Sequence, residues 1–555
     1  MSKDRLIYMA LGGAGEIGMN AYVYGYGPPD KERLILVDLG VTFPDMDGSP
    51  GVDLIMPDMS WLEERKQRLE AIFVTHAHED HVGAVAHMYG KLGVPVYARA
   101  FTAHIARLKF EEHGHDPKNV KTVSAWPETR RHGPFEVGFA PVSHSIPESS
   151  ALIIDTGAGR IVHSGDFKLD ETPGVGEAFD PEMWAEIGQS GVRALVCDST
   201  NVFSKHPGRS EETVGPAITE LVAGAKGLVA ATTFASNIAR VKTLADAGQR
   251  AGRSVVLLGR AMRRMITAGV ETGVLTDFPN TIAAEDAQKI PRENLMLLTT
   301  GSQGERRAAT AQLSRGKYQG MTLKEGDLFL FSSKTIPGNE KSVARIVNAF
   351  SEMGVDVVDD SDGDYHVSGH ANQPDLLRLQ SILNPQIVVP MHGEHRHLRA
   401  HVRLSEEAGR AGILAPNGTM VQLSGNAPKV VEYVETGRVY LDGSVKIGAL
   451  DGVVRDRIRM ALNGHVIVTV IIEDDAPLGD AWVEVKGLAE TGRSNAALVD
   501  VLEEDLTQFL MRAGKKTLAD DEALEKELTR VARKSAQDEL GKKPEVTVVV
   551  SRLAS

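Results

Sequence analysis

Thr75 to Gly83 reads THAHEDHVG, with four potential metal ligands, His76, His78, Asp80 and His81, in six residues. Alternate residues of an extended segment share a face, so His76 and His78 project together. The chain then turns and offers Asp80 and His81 in another direction. Two ligand groups aimed at two adjacent positions suit a two-metal site, whose ions sit about 3.5–4 Å apart and clamp attacking and leaving oxygens. The alternative is a solvated strand-to-helix turn, and four ligand-type side chains so close together argue against it. His144 follows GFAPVSH, Asp166 ends RIVHSGDF and His392 ends QIVVPMHGE, each after an apolar, strand-like run. Alone, such a histidine is usually an exposed or capping residue, and such an aspartate a turn residue. Together the seven make a nitrogen and oxygen donor set suited to zinc, with manganese a possible substitute. Asp38, ending LILVD, suits a carboxylate that accepts the second N–H of a metal-bound histidine, or a plain strand-end turn residue.

These residues need strands to hold them. The segments 33–40, 71–78 and 151–167 read as strands or a hairpin, and 81–93 has helical spacing. Alternation of this kind predicts an α/β layered domain with its polar residues at strand ends. A second α/β pattern begins near residue 205, and histidine-rich segments resume at HVSGHA (366–371) and MHGEHRH (391–397). The first domain, 1–205, is therefore expected to be interrupted by an inserted domain at 206–365 and completed by 366–450. A linker at 451–462 and a small C-terminal α/β domain at 463–555 follow, the latter reading strand, strand, helix, helix, strand.

A chain of 555 residues with 42% hydrophobic content is globular and long enough for several cores. Its single cysteine, Cys197, excludes an intrachain disulfide and a thiolate-rich metal site, and fits a reducing compartment. No secretory leader pattern opens the chain and no apolar run reaches the roughly 18 residues a membrane span requires, so a soluble cytoplasmic protein is expected. The net charge of −14 argues against a nucleic-acid coat protein, though not against a local basic channel.

The order HxHxDH, His144, Asp166, His392 resembles the metal pattern of metallo-β-lactamase-fold hydrolases. VCDST with Asp198, HVSGHA with His366 and His370, and the large insertion resemble the nucleic-acid-cutting β-CASP subgroup. LGGAGEIGMN, TTGSQGE, SSKTIPGNE and HGEHRHLRAH are similar to segments of the bacterial ribonuclease J family, and the C-terminal segment resembles that family's small third domain. The resemblance implies an α/β metallo-β-lactamase αββα sandwich with an inserted β-CASP domain. It implies one zinc on His76, His78 and His144, a second on Asp80, His81 and His392, and Asp166 bridging them. It also implies a ribonuclease that works from the 5′ end, prefers a 5′ monophosphate and can cut internally, and a homo-oligomer, dimer or tetramer, formed through the tail.

Within that frame Asp80 is the candidate proton acceptor and His370 the candidate general acid or phosphate-holding donor. Asp198 either orients a histidine or caps a strand. Ser236 and Asn237, and the segment Ser368, Gly369, His370 and Ala371, are candidate contacts to phosphates of single-stranded RNA, if helices open there; ordinary N-capping is the alternative. Arg260, Arg263, Arg264, Arg306 and Arg307 either line an RNA channel or coat a solvated helix face. A DNA nuclease of the same subgroup, a thioesterase or lactonase of the same fold, and a non-catalytic RNA-binding subunit are the rival readings. The large insertion and Asp198 disfavour the small-molecule enzymes, and the complete ligand set disfavours the inactive subunit.

Overall fold

The computed structural model describes residues 4–553. Two sheets stack face to face. The first has eight strands, in which Arg33–Val37, Leu69–Phe73, Val96–Ala98 and Val120–Thr122 run parallel beside the antiparallel Arg5–Gly12 and Ala21–Gly27. The second has seven, with Gly159–His163, Val192–Asp198 and Ile387–Met391 parallel at its centre. These central strands are apolar almost without break (LILV, ALVC, IVVPM), as strands covered on both faces must be. Pro390 lies past Ile387 and Val388, the two residues paired to 411–412, so its missing N–H falls where that neighbour has ended. Tyr8, Tyr24, Phe73, Phe135, Ile154, Val196 and Val389 fill the space between the sheets. Trp184, Ile187, Leu376 and Leu379 cover the outer face of the second sheet over Ile153, Leu195 and Cys197. Helices Val85–Leu92 and Ala100–Glu112 pack together, the second against strands of the first sheet.

The chain leaves this sandwich after Val192–Asp198 and is back on it by the helix Gln373–Leu383, ahead of Ile387–Met391, which lies beside Val192–Asp198 in one sheet. Between them sits a six-stranded parallel sheet in the order Thr281–Ile282, Ser254–Leu258, Leu295–Thr299, Val229–Thr232, Leu328–Phe331, Asp356–Val358. It has an apolar cluster on each face, one including Ile218, Val241 and Met262, the other Ala287, Leu313 and Phe350.

The C-terminal unit comprises Val439–Ser555 together with Phe43–Ile55. Its membership differs from the sequence expectation in two respects. Residues 439–450 belong here rather than with the sandwich, because the Asp53 N–H donates to the Leu441 carbonyl and the Asp53 carboxylate accepts from the Gly443 N–H, both at 2.8 Å. Residues 451–462, expected as a linker, form most of the helix Val453–Asn463. Beyond it, His465–Glu473 pairs antiparallel with Trp482–Lys486 and parallel with Glu545–Leu553. Helices Leu498–Arg512 and Asp521–Leu540 pack on one face of this sheet over Val466, Val468, Val470 and Ile472, the period of two expected of a half-covered strand. No helix among the described residues is long and apolar enough to cross a membrane.

Candidate metal centre

All seven sequence-predicted ligands follow strands that end at one edge of the sandwich. Leu69–Phe73 delivers His76, His78, Asp80 and His81; Phe135–Pro141 delivers His144; Gly159–His163 delivers Asp166; Ile387–Met391 delivers His392. They converge in two groups.

In the first group His78 Nδ1 lies 3.1 Å from both His76 Nε2 and His144 Nε2. The His76 Nδ1–H donates to the Thr75 hydroxyl at 3.0 Å, the His144 Nδ1–H to the Gly369 carbonyl at 2.6 Å, and the His78 Nε2–H to the Ser236 hydroxyl at 3.0 Å. Three lone pairs therefore face one another. Ligand atoms around a tetrahedral ion bonded at about 2.0–2.1 Å would stand about 3.3–3.4 Å apart, close to what is seen. Burial holds all three imidazoles toward the neutral form, His78 down to about 3, and neutral imidazole is the metal-binding state.

In the second group Asp166 Oδ2 lies 3.1 Å from His81 Nε2 and 3.2 Å from His392 Nε2, and Asp80 Oδ2 lies 3.6 and 3.7 Å from the same nitrogens. His81 Nδ1–H donates to Asp38 Oδ2 at 2.7 Å, and His392 Nδ1–H to Asn20 Oδ1 at 2.9 Å. Asp166 Oδ2 is also 3.9 Å from both His76 and His144 Nε2, so one oxygen stands between the two groups, while buried Asp166 Oδ1 has no partner. Lone pairs facing a carboxylate call for a cation. Burial opposes charge on His81 and His392, but Asp166 and Asp80 raise both above the usual histidine value. The residues thus fit a pair of metal ions.

The backbone is shaped for this placement. Asp38 and His392 adopt left-handed conformations, φ 60° and 48°, which non-glycine residues hold only when their surroundings enforce it. Asp38 is anchored by the Thr75 N–H and hydroxyl as well as by His81. At Gly40 a Cβ would lie 1.7 Å from the Asp80 carbonyl oxygen, so only glycine admits the turn that carries Asp80 and His81.

Beside the metal ligands, His370 Nδ1 donates to Asp198 Oδ2 at 2.7 Å, and Asp198 Oδ1 accepts from the Thr200 N–H and hydroxyl. Burial disfavours the imidazolium, but Asp198, with Asp166 and Asp80 behind it, raises His370 to about 9. The rings of His370 and His144 are 5.0 Å apart. Asn201 holds the segment in place, donating to the Ser368 hydroxyl, the His370 carbonyl and Asn372.

Several expectations meet a different arrangement. The helix after HVSGHA begins at Gln373, capped by Asn372 with Asp375 completing a reciprocal pair, not at residues 368–371. Ala371 is buried and its N–H donates to the Phe167 carbonyl at 2.6 Å, which leaves nothing for a phosphate. Asn237 is buried and caps Ile238–Arg250 through the Arg240 N–H, whereas Ser236 reaches His78. Arg263 donates to the Leu257 carbonyl and Arg264 pairs with Glu112 across the two domains, so neither side chain is held ready for RNA; Arg260, Arg306 and Arg307 are exposed. Sequence reasoning gave no role to Asn20, Thr75 and Asn201, although the first two lie within LGGAGEIGMN and THAHEDHVG and Asn201 directly follows VCDST.

A two-sheet sandwich with five histidines and two aspartates at one edge defines a metallohydrolase of the metallo-β-lactamase class. Family models match along the chain: a beta-lactamase superfamily domain over 43–212, a ribonuclease J beta-CASP domain over 226–350, a Zn-dependent metallo-hydrolase RNA specificity domain over 363–416, and a ribonuclease J C-terminal domain over 452–553. The chain is 38% identical to the Ribonuclease J of Sinorhizobium meliloti over 556 residues, covering 99% of this chain and 98% of that one. It is 38% identical to that of Mycolicibacterium smegmatis over 506 residues, covering 90% and 89%. A crystal structure of a protein of unknown function from Enterococcus faecalis V583 shares the fold at a TM-score of 0.53 and 18% identity, covering 75% of this chain and all of that one. The chain belongs to the ribonuclease J family and is a metal-dependent ribonuclease.

Proposed function

We propose that this ribonuclease removes nucleotides from the 5′ end of single-stranded RNA, prefers a 5′ monophosphate, and also cuts internally, using two zinc ions for which manganese can substitute. The observation that carries the reading is Asp166 Oδ2, within 3.9 Å of a nitrogen in each histidine group. A single carboxylate so placed suits a centre of two ions that grips both sides of an in-line displacement.

Bound there, the ions would supply Lewis-acid activation of water and neutralise phosphate charge. The chain's residues do the rest. Asp80, partly exposed at the site, accepts a proton from the attacking water. The P–O3′ bond breaks as the new P–O bond forms, and His370 Nε2–H protonates the leaving 3′ oxygen while Asp198 holds Nδ1–H and offsets the charge. The released nucleotide keeps its own 5′ phosphate, and the shortened RNA again begins with a 5′ monophosphate. An enzyme selective for that end thereby regenerates its own substrate. The hydroxyls of Ser236 and Ser368, with the buried, unpartnered hydroxyl of Ser333 at the C-terminal edge of the inserted sheet, are suited to donate to the terminal phosphate. Homo-oligomerisation is part of the same reading; exposed Ile471, Trp482 and Val549 on the C-terminal sheet support it, and light scattering tests it.

The test uses one RNA sequence carrying either a 5′ monophosphate or a 5′ triphosphate, a matching DNA, and an Asp80→Ala control. Mononucleotides released from the monophosphorylated RNA alone are expected. Equal internal cutting of both RNAs would remove the 5′-end preference, and cleavage of the DNA would favour a less selective nuclease.

A further inference from the structure

The inserted domain is joined to the sandwich by two chain crossings, one outgoing near 199–214 and one returning near 359–372. Arg240, on the first turn of Ile238–Arg250 in the insert, meets both. Its side chain is wholly buried. Nε and Nη2 donate to the two oxygens of Glu211 on the outgoing crossing, at 2.6 and 3.0 Å. Nη1 donates to the Tyr365 carbonyl on the returning crossing at 3.2 Å, and to the carbonyl and hydroxyl of Ser332 at 3.0 Å each. Ser332 immediately follows the inserted strand Leu328–Phe331. Glu211 is in turn fastened to the sandwich. Its N–H donates to Asp170 Oδ2 at 2.8 Å, and Lys168, two residues past Asp166, pairs with Asp170 at 2.7 Å and lies 3.8 Å from Glu211.

A planar guanidinium can hold a carboxylate on one edge and carbonyls on another, geometry an ammonium cannot match. Arg240 also serves the helix start, since its backbone N–H is the donor that Asn237 caps. Ser236, one residue earlier, is the insert's contact to His78. One residue therefore ties together both crossings, the sheet edge of the insert and the helix turn that meets the metal centre.

We propose that Arg240 is a positioning residue for RNA: it fixes the inserted domain against the metal-bearing edge and so sets where a bound strand lies relative to the ions. All seven metal ligands belong to the sandwich and none touches Arg240, so its loss should misplace RNA without emptying the centre. This rests on the RNA-hydrolysing reading, and the test separates the two.

Single removal of either partner strands a buried charge, which destabilises, whereas replacing both with apolar groups of similar volume is often neutral. The informative variant is Arg240→Met with Glu211→Leu. Its expected properties are a near-native thermal midpoint, unchanged metal content by mass spectrometry, turnover of bis(p-nitrophenyl) phosphate within about threefold of the parent, and affinity for a 5′-phosphorylated 2′-O-methyl strand weakened by roughly tenfold or more, as small misplacements cost in positioned sites. In this arm parent and variant both carry His370→Ala, which slows cleavage, so the affinity is read without depending on hydrolysis. A stable variant with native strand affinity would overturn the proposal, reducing the network to packing. Equal loss on the small phosphodiester would overturn it too, by assigning Arg240 to the metal centre. Arg240→Lys, which keeps the charge but not the fork, gives a second reading by the same assays if the double variant does not fold.

Discussion

Asp38→Asn changes one atom beside the second ligand group, and its effect can be followed through the hydrogen bonds. Asp38 is fully buried; Oδ1 accepts from the Thr75 N–H at 2.8 Å and Oδ2 from His81 Nδ1–H at 2.7 Å. In the variant the amide oxygen stays with Thr75, and the amide nitrogen turns its hydrogens on a nitrogen that already carries one. Two donors cannot face each other, so His81 moves its proton to Nε2, the atom that looks toward Asp166 and the metal position. A bound ion must then displace that proton, and the charged hydrogen bond, worth roughly 1.5–3 kcal/mol, is gone. The expected cost is about 10- to 100-fold in metal affinity, or about 1.4–2.7 kcal/mol. It should fall on an ion bound at Asp80, His81, Asp166 and His392, leaving any ion at His76, His78 and His144 near native. Competition with a chromophoric chelator, on stripped and reloaded protein, reads the two affinities. A folded Asp38→Asn protein that binds both ions as tightly as the parent would refute the reasoning.

Three further outcomes are expected. His370→Ala should lower single-turnover RNA cleavage by about 10²- to 10⁴-fold, the usual worth of a general acid, with metal content unchanged; native cleavage would remove His370 from proton transfer. Gly40→Ala should destabilise the fold by roughly 1–3 kcal/mol and loosen metal binding, because its Cβ meets the Asp80 carbonyl at 1.7 Å; thermal melting and metal analysis check this. His401 is buried between Ser199 and Gln380, and burial, only partly offset by Asp198, lowers it to about 4. The unfolded chain takes up that proton first, so the stability from neutral His401 is present above pH 6.5 and lost as pH falls through 4, about 3 kcal/mol in all. Urea unfolding of the parent and of His401→Leu at pH 7 and pH 4 should show their stability difference shrinking by that amount.

Metal-ligand chemistry shows in sequence because only a few residue types can perform it. His76, His78, Asp80 and His81 are adjacent, and His144, Asp166 and His392 each stand just past an apolar run, a pattern visible without coordinates. Of their supports only Asp38, at the end of LILVD, could be read; the others were not visible. Asn20 holds His392 from 372 residues away, and the Gly369 carbonyl that fixes His144 belongs to a backbone group every residue possesses. Ser236 was legible as a polar residue at a helix start, but its contact to His78 depends on how two domains meet. The alternation of strand and helix revealed the inserted α/β block, since each element carries its own period. The grouping of 439–450 with 43–55 escaped because backbone hydrogen bonds across nearly 400 residues leave no mark on composition. Helix Val453–Asn463 was legible and was passed over: Val454, Ile458 and Leu462 recur at helical spacing, although only Val454 is buried.

The ligands are spread along the chain from His76 to His392, and the His392 N–H donates to the Gly13 carbonyl at 2.7 Å. The centre therefore closes only when the last of its strands has been added to the sheet. During synthesis, at about 5–20 residues per second, roughly 20–80 s pass before His392 exists. From the moment Asp166 is made, the growing polypeptide lacks one of the two histidines that face its Oδ2 in the second ligand group until His392 follows. An enzyme that destroys RNA is thus built in an order that withholds its complete cutting centre until His392 has been made.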